Sequence, residues 1–298
     1  MRELRDKVAV VTGAGSGIGR ALARRLAREG CNLVLADISP DALADVDAEL
    51  VEAGTRTAAI EADVTDQDSV DALAEAALTA FGAVHVVCNN AGVGVPRGGG
   101  MYVWDTPLPE YEWVMRTNVW GIIHGCRAFV PILLAQGEPA HIVNTVSVAG
   151  LLARAATHVY TMSKHAALSL SESLVAQLAE IDSSIGVSLL CPGYVDTGLS
   201  ASDTSAPPAV AALAEAETAE HAEMRARFER SIGRGIAPDL VAAGAIDAIL
   251  TGRTYVLTHP EYNELIRLRV ADIMERGTLE QYGEAYRSFA RRQGAKEE

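Results

Sequence analysis

A chain of 298 residues, 49% of them hydrophobic, is long enough to bury a large core, and one domain spanning residues 1–298 is expected. Its formal net charge of -14, from 39 acidic against 25 basic residues with no basic patch in view, argues against a nucleic-acid backbone or an anionic membrane surface as partner. The charged opening Met1–Lys7 leads into an apolar run that Gly13 cuts off, too brief for a signal core or a bilayer span, so the expected location is the cytoplasm.

The first apolar run, Val8–Val11, predicts a buried strand. It feeds directly into Thr12-Gly13-Ala14-Gly15-Ser16-Gly17-Ile18-Gly19, after which Ile18, Leu22 and Leu26 mark the buried stripe of a helix. Strand, glycine loop and helix N-terminus in that order suit a pyrophosphate, because the loop turns tightly and the free N–H groups and helix dipole face the anion. The pattern is G-x-x-x-G-x-G rather than G-x-G-x-x-G, with Gly13, Ser16, Gly17, Ile18 and Gly19 the positions expected at the cofactor. A second strand, Leu33–Ala36, ends at Asp37, with Ile38 beside it. A carboxylate there accepts from ribose hydroxyls and repels a 2′-phosphate, and no Arg or Lys stands at Ala14, Ser16, Ile38 or Ser39 to offset it. That favours NAD over NADP, with Arg20 the residue best able to upset the preference.

A third strand, Ala58–Ile60, precedes Asp63, which has two readings: a bond to the adenine edge, or the cap of the next helix, a job for which Asp66 competes. Val70, Leu73, Ala74, Ala77 and Leu78 carry the helical stripe, and Val84–Cys88 and Ile142–Val146 predict the fourth and fifth strands. Ser147 follows the fifth strand at its carboxyl end, where a hydroxyl can hold a substrate oxygen. Thirteen positions on, Tyr160 and Lys164 are four apart in a helical stripe that continues through Ala167, Leu168, Leu170 and Leu174, so both lie on one face. A tyrosine, with a pKa of about 10, is a poor base at neutral pH until an adjacent ammonium stabilises its phenolate. The lysine is the more telling of the two, since the chain holds only three, Lys7, Lys164 and Lys296.

Val187–Cys191 and Tyr255–Leu257 predict the last two strands. Strands alternating with helices imply right-handed crossovers and an α/β, doubly wound, three-layer fold with a mainly parallel seven-stranded sheet and a crevice at the strand carboxyl ends. Pro207 and Pro208 open a helix with apolar positions at Val210, Leu213, Met224 and Phe228, so residues 198–235 read either as a cover over the site or as a plain surface helix. Residues 259–298 read as a C-terminal helical extension. Val95, Met101, Tyr102, Trp104, Leu151, Leu152, Tyr194, Met224 and Phe228 are candidate pocket residues for an apolar substrate. Neither the seven histidines nor the four cysteines show metal-ligand spacing, so no metal is expected and Cys31, Cys88, Cys126 and Cys191 read as small buried thiols.

Jointly, Thr12-Gly13-x-x-x-Gly17-x-Gly19, Asp63-Val64, Asn89-Asn90-Ala91-Gly92, Asn118, Ser147, Tyr160-x-x-x-Lys164 and Pro192-Gly193-x-Val195-x-Thr197 make a chain that resembles the short-chain dehydrogenase/reductase family in its single-domain, Rossmann-like form, over about Lys7 to Thr197. The resemblance implies hydride transfer between NAD(H) and a secondary alcohol or ketone, with Tyr160 as acid/base, Lys164 and Ser147 assisting, and Asn118 holding a water near Lys164. It further implies that Val64, Asn90, Ala91, Gly92, Tyr160, Lys164, Pro192, Gly193, Val195 and Thr197 contact the cofactor, Val195 and Thr197 at the carboxamide. A homodimer or homotetramer through helices at about Glu110–Gln136 and Val159–Glu180 is implied as well. Two departures stand out: Val146 where many members have a serine, and the long tail after Gly198, which is similar to bacterial members that act on apolar secondary alcohols. An epimerase or dehydratase that retains NAD, and a dinucleotide sensor without turnover, are the rival readings.

Overall fold

The computed structural model describes residues 1–94, 102–153, 157–199, 206–215 and 219–295. Seven strands, β1 (Val8–Thr12), β2 (Asn32–Asp37), β3 (Thr57–Glu61), β4 (Val86–Asn89), β5 (Ala140–Thr145), β6 (Ile185–Cys191) and β7 (Tyr255–Leu257), form one sheet in the order β3-β2-β1-β4-β5-β6-β7. Every neighbouring pair is parallel. All seven predicted strands are present, and the sheet is parallel throughout. The expected ends shift where an apolar run and a hydrogen-bond ladder do not coincide. Val84 lies before β4 because its backbone N–H and C=O pair with the side-chain amide of Gln136, at 2.9 and 2.6 Å, and Val146 falls in the turn after β5.

Alternation along the strands divides the core into two layers. Ala9 and Val11 face α1 (Gly17–Arg28), α2 (Pro40–Glu52) and α9 (Pro238–Thr251), while Val8 and Val10 face α3 (Gln67–Phe81), α5 (Gly121–Gln136) and α6 (His158–Glu180). Pro at the first helical position opens α2 and α9, and Gly82, left-handed at φ 78°, closes α3. Asp66 caps α3, its carboxylate accepting from the Asp68 N–H, so the capping reading of Asp63 is corrected.

The helix expected over Glu110–Gln136 is two α-helical pieces, α4 (Leu108–Met115) and α5, joined by a π-helical turn at Arg116–Trp120 that contains Asn118. By length and composition Leu108–Gln136 is the one helix among the described residues that could cross a membrane, and half of its most apolar window is buried within the fold. The segment after β6 is described in two helices, α7 (Pro208–Glu215) and α8 (Ala219–Gly233). After β7 come α10 (Asn263–Ala271) and α11 (Glu280–Ala295), joined through the fully buried Asp272, which accepts from Tyr282 N–H at 2.8 Å and pairs with Arg276 at 3.1 Å. This extension packs Tyr262, Leu265 and Tyr282 against Val148 and Leu152. Leu152 is therefore core rather than a pocket wall.

A buried polar chain ties the middle of the sheet to α6. Asn89 Nδ2 donates to Asn144 Oδ1 at 2.9 Å, and Asn144 Nδ2 donates to Ser171 Oγ at 2.9 Å. Gly125 of α5 makes room for it, since a β-carbon there would stand 2.0 Å from Asn89 Oδ1. Gly125→Ala is accordingly expected to destabilise the fold by about 1–3 kcal/mol, read as a lower urea midpoint with an unchanged m-value.

Candidate active site

The sheet order reverses direction between β1 and β4, and there the carboxyl ends of the strands open into a cleft of about 840 Å³. Its floor is stitched across three strands. Thr12 Oγ1 accepts from the N–H groups of Asn90 (2.9 Å) and Ala91 (3.1 Å), Asn90 Nδ2 donates to Thr12 O (3.0 Å), and Thr145 Oγ1 donates to Asn90 Oδ1 (3.1 Å). The glycine loop crosses above. Gly13 and Gly17 have left-handed φ values of 65° and 49°, and a β-carbon on Gly13 would stand 2.9 Å from Ala91 Cα. Ser16 occupies the N-cap of α1 in extended conformation without a side-chain capping bond, and the first turn carries no acidic residue. The opening of α1 thus presents backbone donors and a positive dipole to the cleft, which suits a pyrophosphate.

Asp37 ends β2 with one carboxylate oxygen accepting from Gly15 N–H (2.8 Å) and the other from Ser39 N–H (3.0 Å). Gly15, which the G-x-x-x-G-x-G pattern leaves open, is needed as glycine because a β-carbon would stand 2.8 Å from Ala42 Cβ and 2.9 Å from Asp37. Arg20 is turned away, its guanidinium donating twice to Glu49, which also pairs with Arg24. Asp63 accepts from Thr65 N–H at 2.8 Å and lines the cleft beside Val64.

At the far end of the cleft, Tyr160 and Lys164 project from the start of α6, the ammonium 5.5 Å from the centre of the Tyr160 ring. Lys164 is buried and donates to Thr145 O at 3.0 Å. Burial brings its pKa down from 10.5 to about 8, because desolvation penalises the charged form. Ser147 begins the turn after β5, where its hydroxyl accepts from Ala149 N–H (3.1 Å) and donates to Pro192 O (3.2 Å). Asn118 lies deeper than the cleft wall. Its Oδ1 accepts from Val93 N–H (2.8 Å), and its Nδ2 donates to Val93 O and to Ser163 Oγ, both at 3.0 Å. Ser163 Oγ in turn donates to Tyr160 O at 2.7 Å.

The segment after β6 forms the opposite wall. Pro192, Gly193, Val195 and Thr197 all line the cleft, and Thr197 packs against Gly17 across it, 3.1 Å from where a β-carbon would sit. Of the expected site residues only Asn118 is not a lining residue. Pro207, Ala209 and Val210 roof the cleft, with Val210 buried against Trp113 and Val159. A smaller apolar recess opens off it beside Ser147 and Tyr160, walled by Val148, Tyr194, Phe228 and Ile232. Tyr194 and Phe228 meet edge to face with ring centres 6.4 Å apart.

Four candidate pocket residues fall elsewhere: Tyr102 and Trp104 are 64% and 77% exposed and stack on each other, Leu151 packs against the core layer of α3, α5 and α6, and Leu152 is core. Val95, Met101 and the side chain of Met224 lie outside the described residues. Arg116 and Trp113 line the cleft without having been singled out in the sequence, because an amphipathic helix gives no sign of which edge meets a ligand. Among the described residues no cluster of three or more His, Cys, Asp or Glu is placed to hold a metal.

Residues 7–208 match the family model described as short chain dehydrogenase. A 1-deoxy-11-beta-hydroxypentalenate dehydrogenase from Streptomyces exfoliatus is 44% identical over 194 residues, 65% of this chain and 69% of the relative. A CLA biosynthesis dehydrogenase/reductase from Lactiplantibacillus plantarum is 31% identical across 93% of this chain and 96% of its own. Among solved structures, a short chain dehydrogenase/reductase from Burkholderia phymatum in complex with NAD superposes with a TM-score of 0.87 at 43% identity, covering 92% of this chain and 96% of that one.

The buried ammonium has a measurable signature. Between pH of about 8 and 10.5 the unfolded chain holds a proton on Lys164 that the folded one releases, so this group's contribution to stability rises with pH through that window and is flat below it. Denaturant unfolding of the ligand-free protein at pH 7.5 and 9.5 is expected to show this rise, up to about 3 kcal/mol at full deprotonation, in the difference between wild type and Lys164→Met.

Proposed function

The chain belongs to the short-chain dehydrogenase family and is an oxidoreductase, and we propose that it interconverts an apolar cyclic or aromatic secondary alcohol and its ketone with NAD as cofactor. The observation that carries this reading is the placement of the Tyr160, Lys164 and Ser147 side chains at the inner end of a dinucleotide-shaped cleft, beside an apolar recess. Bound there, NAD supplies the acceptor or donor of hydride. Gly13, Ser16, Gly17, Ile18 and Gly19 hold its pyrophosphate, and Asp37 and Ile38 hold the adenosine ribose. Asp63 and Val64 lie toward the adenine, Asn90, Ala91 and Gly92 form the floor, and Pro192, Gly193, Val195 and Thr197 form the wall toward the nicotinamide.

The proton chemistry belongs to the chain's own residues. Tyr160 takes the hydroxyl proton of an alcohol, or returns it to a carbonyl oxygen. The Lys164 ammonium favours the phenolate, and with a pKa of about 8 it remains largely charged at neutral pH. Ser147 turns its hydroxyl from Pro192 O to the substrate oxygen, which places a donor where charge develops. Asn118 takes a positioning role here in place of the expected hold on a water near Lys164: both atoms of its amide are engaged, by Val93 and, through Ser163, by the first turn of α6. The preference for NAD rests on Asp37, held by two backbone donors, and on Arg20, which is engaged by Glu49 and so withdrawn from a 2′-phosphate. Half-exposed Trp120, Leu134 and Met162 on α5 and α6 and the adjoining turn support assembly into a homodimer or homotetramer.

The deciding assay follows NADH production from a panel of cyclic, benzylic and polycyclic secondary alcohols, with NAD and NADP in parallel. Turnover with NAD that falls by at least about 100-fold in Tyr160→Phe is the expected result. Tight retention of NAD with no net NADH would favour an epimerase or dehydratase, and binding without turnover in either direction a sensor. Phe228→Ala is expected to raise KM for the best alcohol by about 10-fold or more while leaving KM for NAD unchanged, and an unchanged alcohol KM would remove Phe228 from the substrate recess.

A further inference from the structure

The turn that carries Pro192, Gly193 and Tyr194 has left β6, is joined at Tyr194–Asp196 to Ile236 by a single bridge, and forms a wall of both the cleft and the apolar recess. On its inner side Pro192 O accepts from Val148 N–H (2.9 Å) and from the Ser147 hydroxyl (3.2 Å). On its outer side it is held by His259, two residues past β7 and 5% exposed. Gly193 N–H donates to His259 Nδ1 at 2.9 Å, and His259 Nε2 lies 3.0 Å from Tyr194 O. An amide N–H can only donate and a carbonyl can only accept, so the ring is neutral with its proton on Nε2. Thr258 Oγ1, 2.8 Å from Nδ1, supports the same lone pair. One imidazole therefore takes the donor of Gly193 and shares the acceptor of Tyr194 with the Ile236 N–H, 3.1 Å away.

Packing repeats the message. A β-carbon on Gly193 would stand 2.9 Å from His259 Cγ and Cδ2 and 2.8 Å from Tyr262 Cε2, so the turn lies flat against these two rings. Tyr262 is buried in turn against Phe289 of α11, with ring centres 4.9 Å apart, and the Tyr282 hydroxyl donates to Ala153 O beyond the Ser147 turn. The extension after β7 thus backs both turns that face the substrate end of the cleft.

We propose that His259 is a positioning residue for the reaction: by clamping Gly193 and Tyr194 from behind, it fixes the turn against which Ser147 rests before its hydroxyl turns to the substrate, and it sets Tyr194 in the wall of the substrate recess. It touches neither substrate nor cofactor. The proposal rests on the reading of the site given above. Its consequence is that residues 259–295, outside the stretch matched by the family model, help to determine turnover as well as stability.

The test compares full-length wild type, His259→Ala, His259→Asn and His259→Gln in kcat and KM for a secondary alcohol, in NAD affinity by fluorescence titration, and in melting temperature. His259→Ala is expected to lower kcat at saturating NAD by about 10- to 100-fold, with NAD affinity within about threefold of wild type. His259→Asn, which keeps an acceptor near Nδ1, should recover most of that loss, and His259→Gln, which reaches only toward Nε2, should recover less. A folded His259→Ala with wild-type kcat overturns the proposal, as does a loss confined to NAD affinity or an Asn variant no better than Ala. Should His259→Ala fail to fold, equal kcat in the Asn and Gln variants overturns it. If wild type turns over no alcohol, the proposed function fails by itself, and nitrogen NMR of the His259 ring still decides the clamp: a proton on Nε2 upholds it and a proton on Nδ1 overturns it.

Discussion

Everything in this molecule hangs on the parting between β1 and β4. In a sheet whose strands all run one way, every carboxyl end lies on one edge, and the crossovers leave that edge in opposite directions on either side of β1. The helices of the crossovers part there, so a crevice forms where backbone N–H groups, helix openings and strand-end side chains converge, roofed by Ala209 and Val210 of α7. The Thr12, Asn90 and Thr145 bonds lock the three strand ends that floor it. Those bonds lie between strands far apart in the chain, which makes the floor a property of the assembled sheet.

Within that crevice the energetic tension is the burial of Lys164. An ammonium with one carbonyl partner in a desolvated setting costs the ligand-free fold stability at neutral pH, and it persists because α6 is anchored on both sides of it. Ahead of it, Ser163 is bonded to Asn118 in the π-helical turn, and behind it Ser171 closes the polar chain from Asn89 and Asn144. The π turn fits this role: one extra residue per turn re-aims the Asn118 amide toward Val93 and α6, which a regular helix from Leu108 to Gln136 would not do in the same register.

The C-terminal extension shows a second way of building a site. Asp272, fully buried, accepts the Tyr282 N–H and brings α11 onto α10, and that pairing delivers Tyr262, Phe289 and Tyr282 to the back of the Ser147 and Gly193 turns. The aromatic pair Tyr194 and Phe228 closes the same region from the side of α8. A site whose front is made by strand ends and whose back is made by a later segment can alter its apolar recess without disturbing the glycine-loop end.

The alternation of apolar runs and helical stripes was enough to read seven parallel strands, and the glycine spacing, Asp37 and the four-residue step from Tyr160 to Lys164 were enough to read the cleft, because each of these depends on residues close together in the chain. Gly15 and His259 were illegible for the converse reason: the N–H of Gly15 meets Asp37 22 positions on, and His259 meets Gly193 66 positions back. Tyr102 and Trp104 misled because aromatic residues after a strand look alike whether they face a pocket or solvent. By itself the sequence determined the fold class, the glycine turn that opens α1 and the tyrosine–lysine face, since backbone geometry and helical periodicity are local. Only the tertiary structure decided which side chains close the apolar recess and what holds them, since those contacts exist only once segments distant in the chain are packed together.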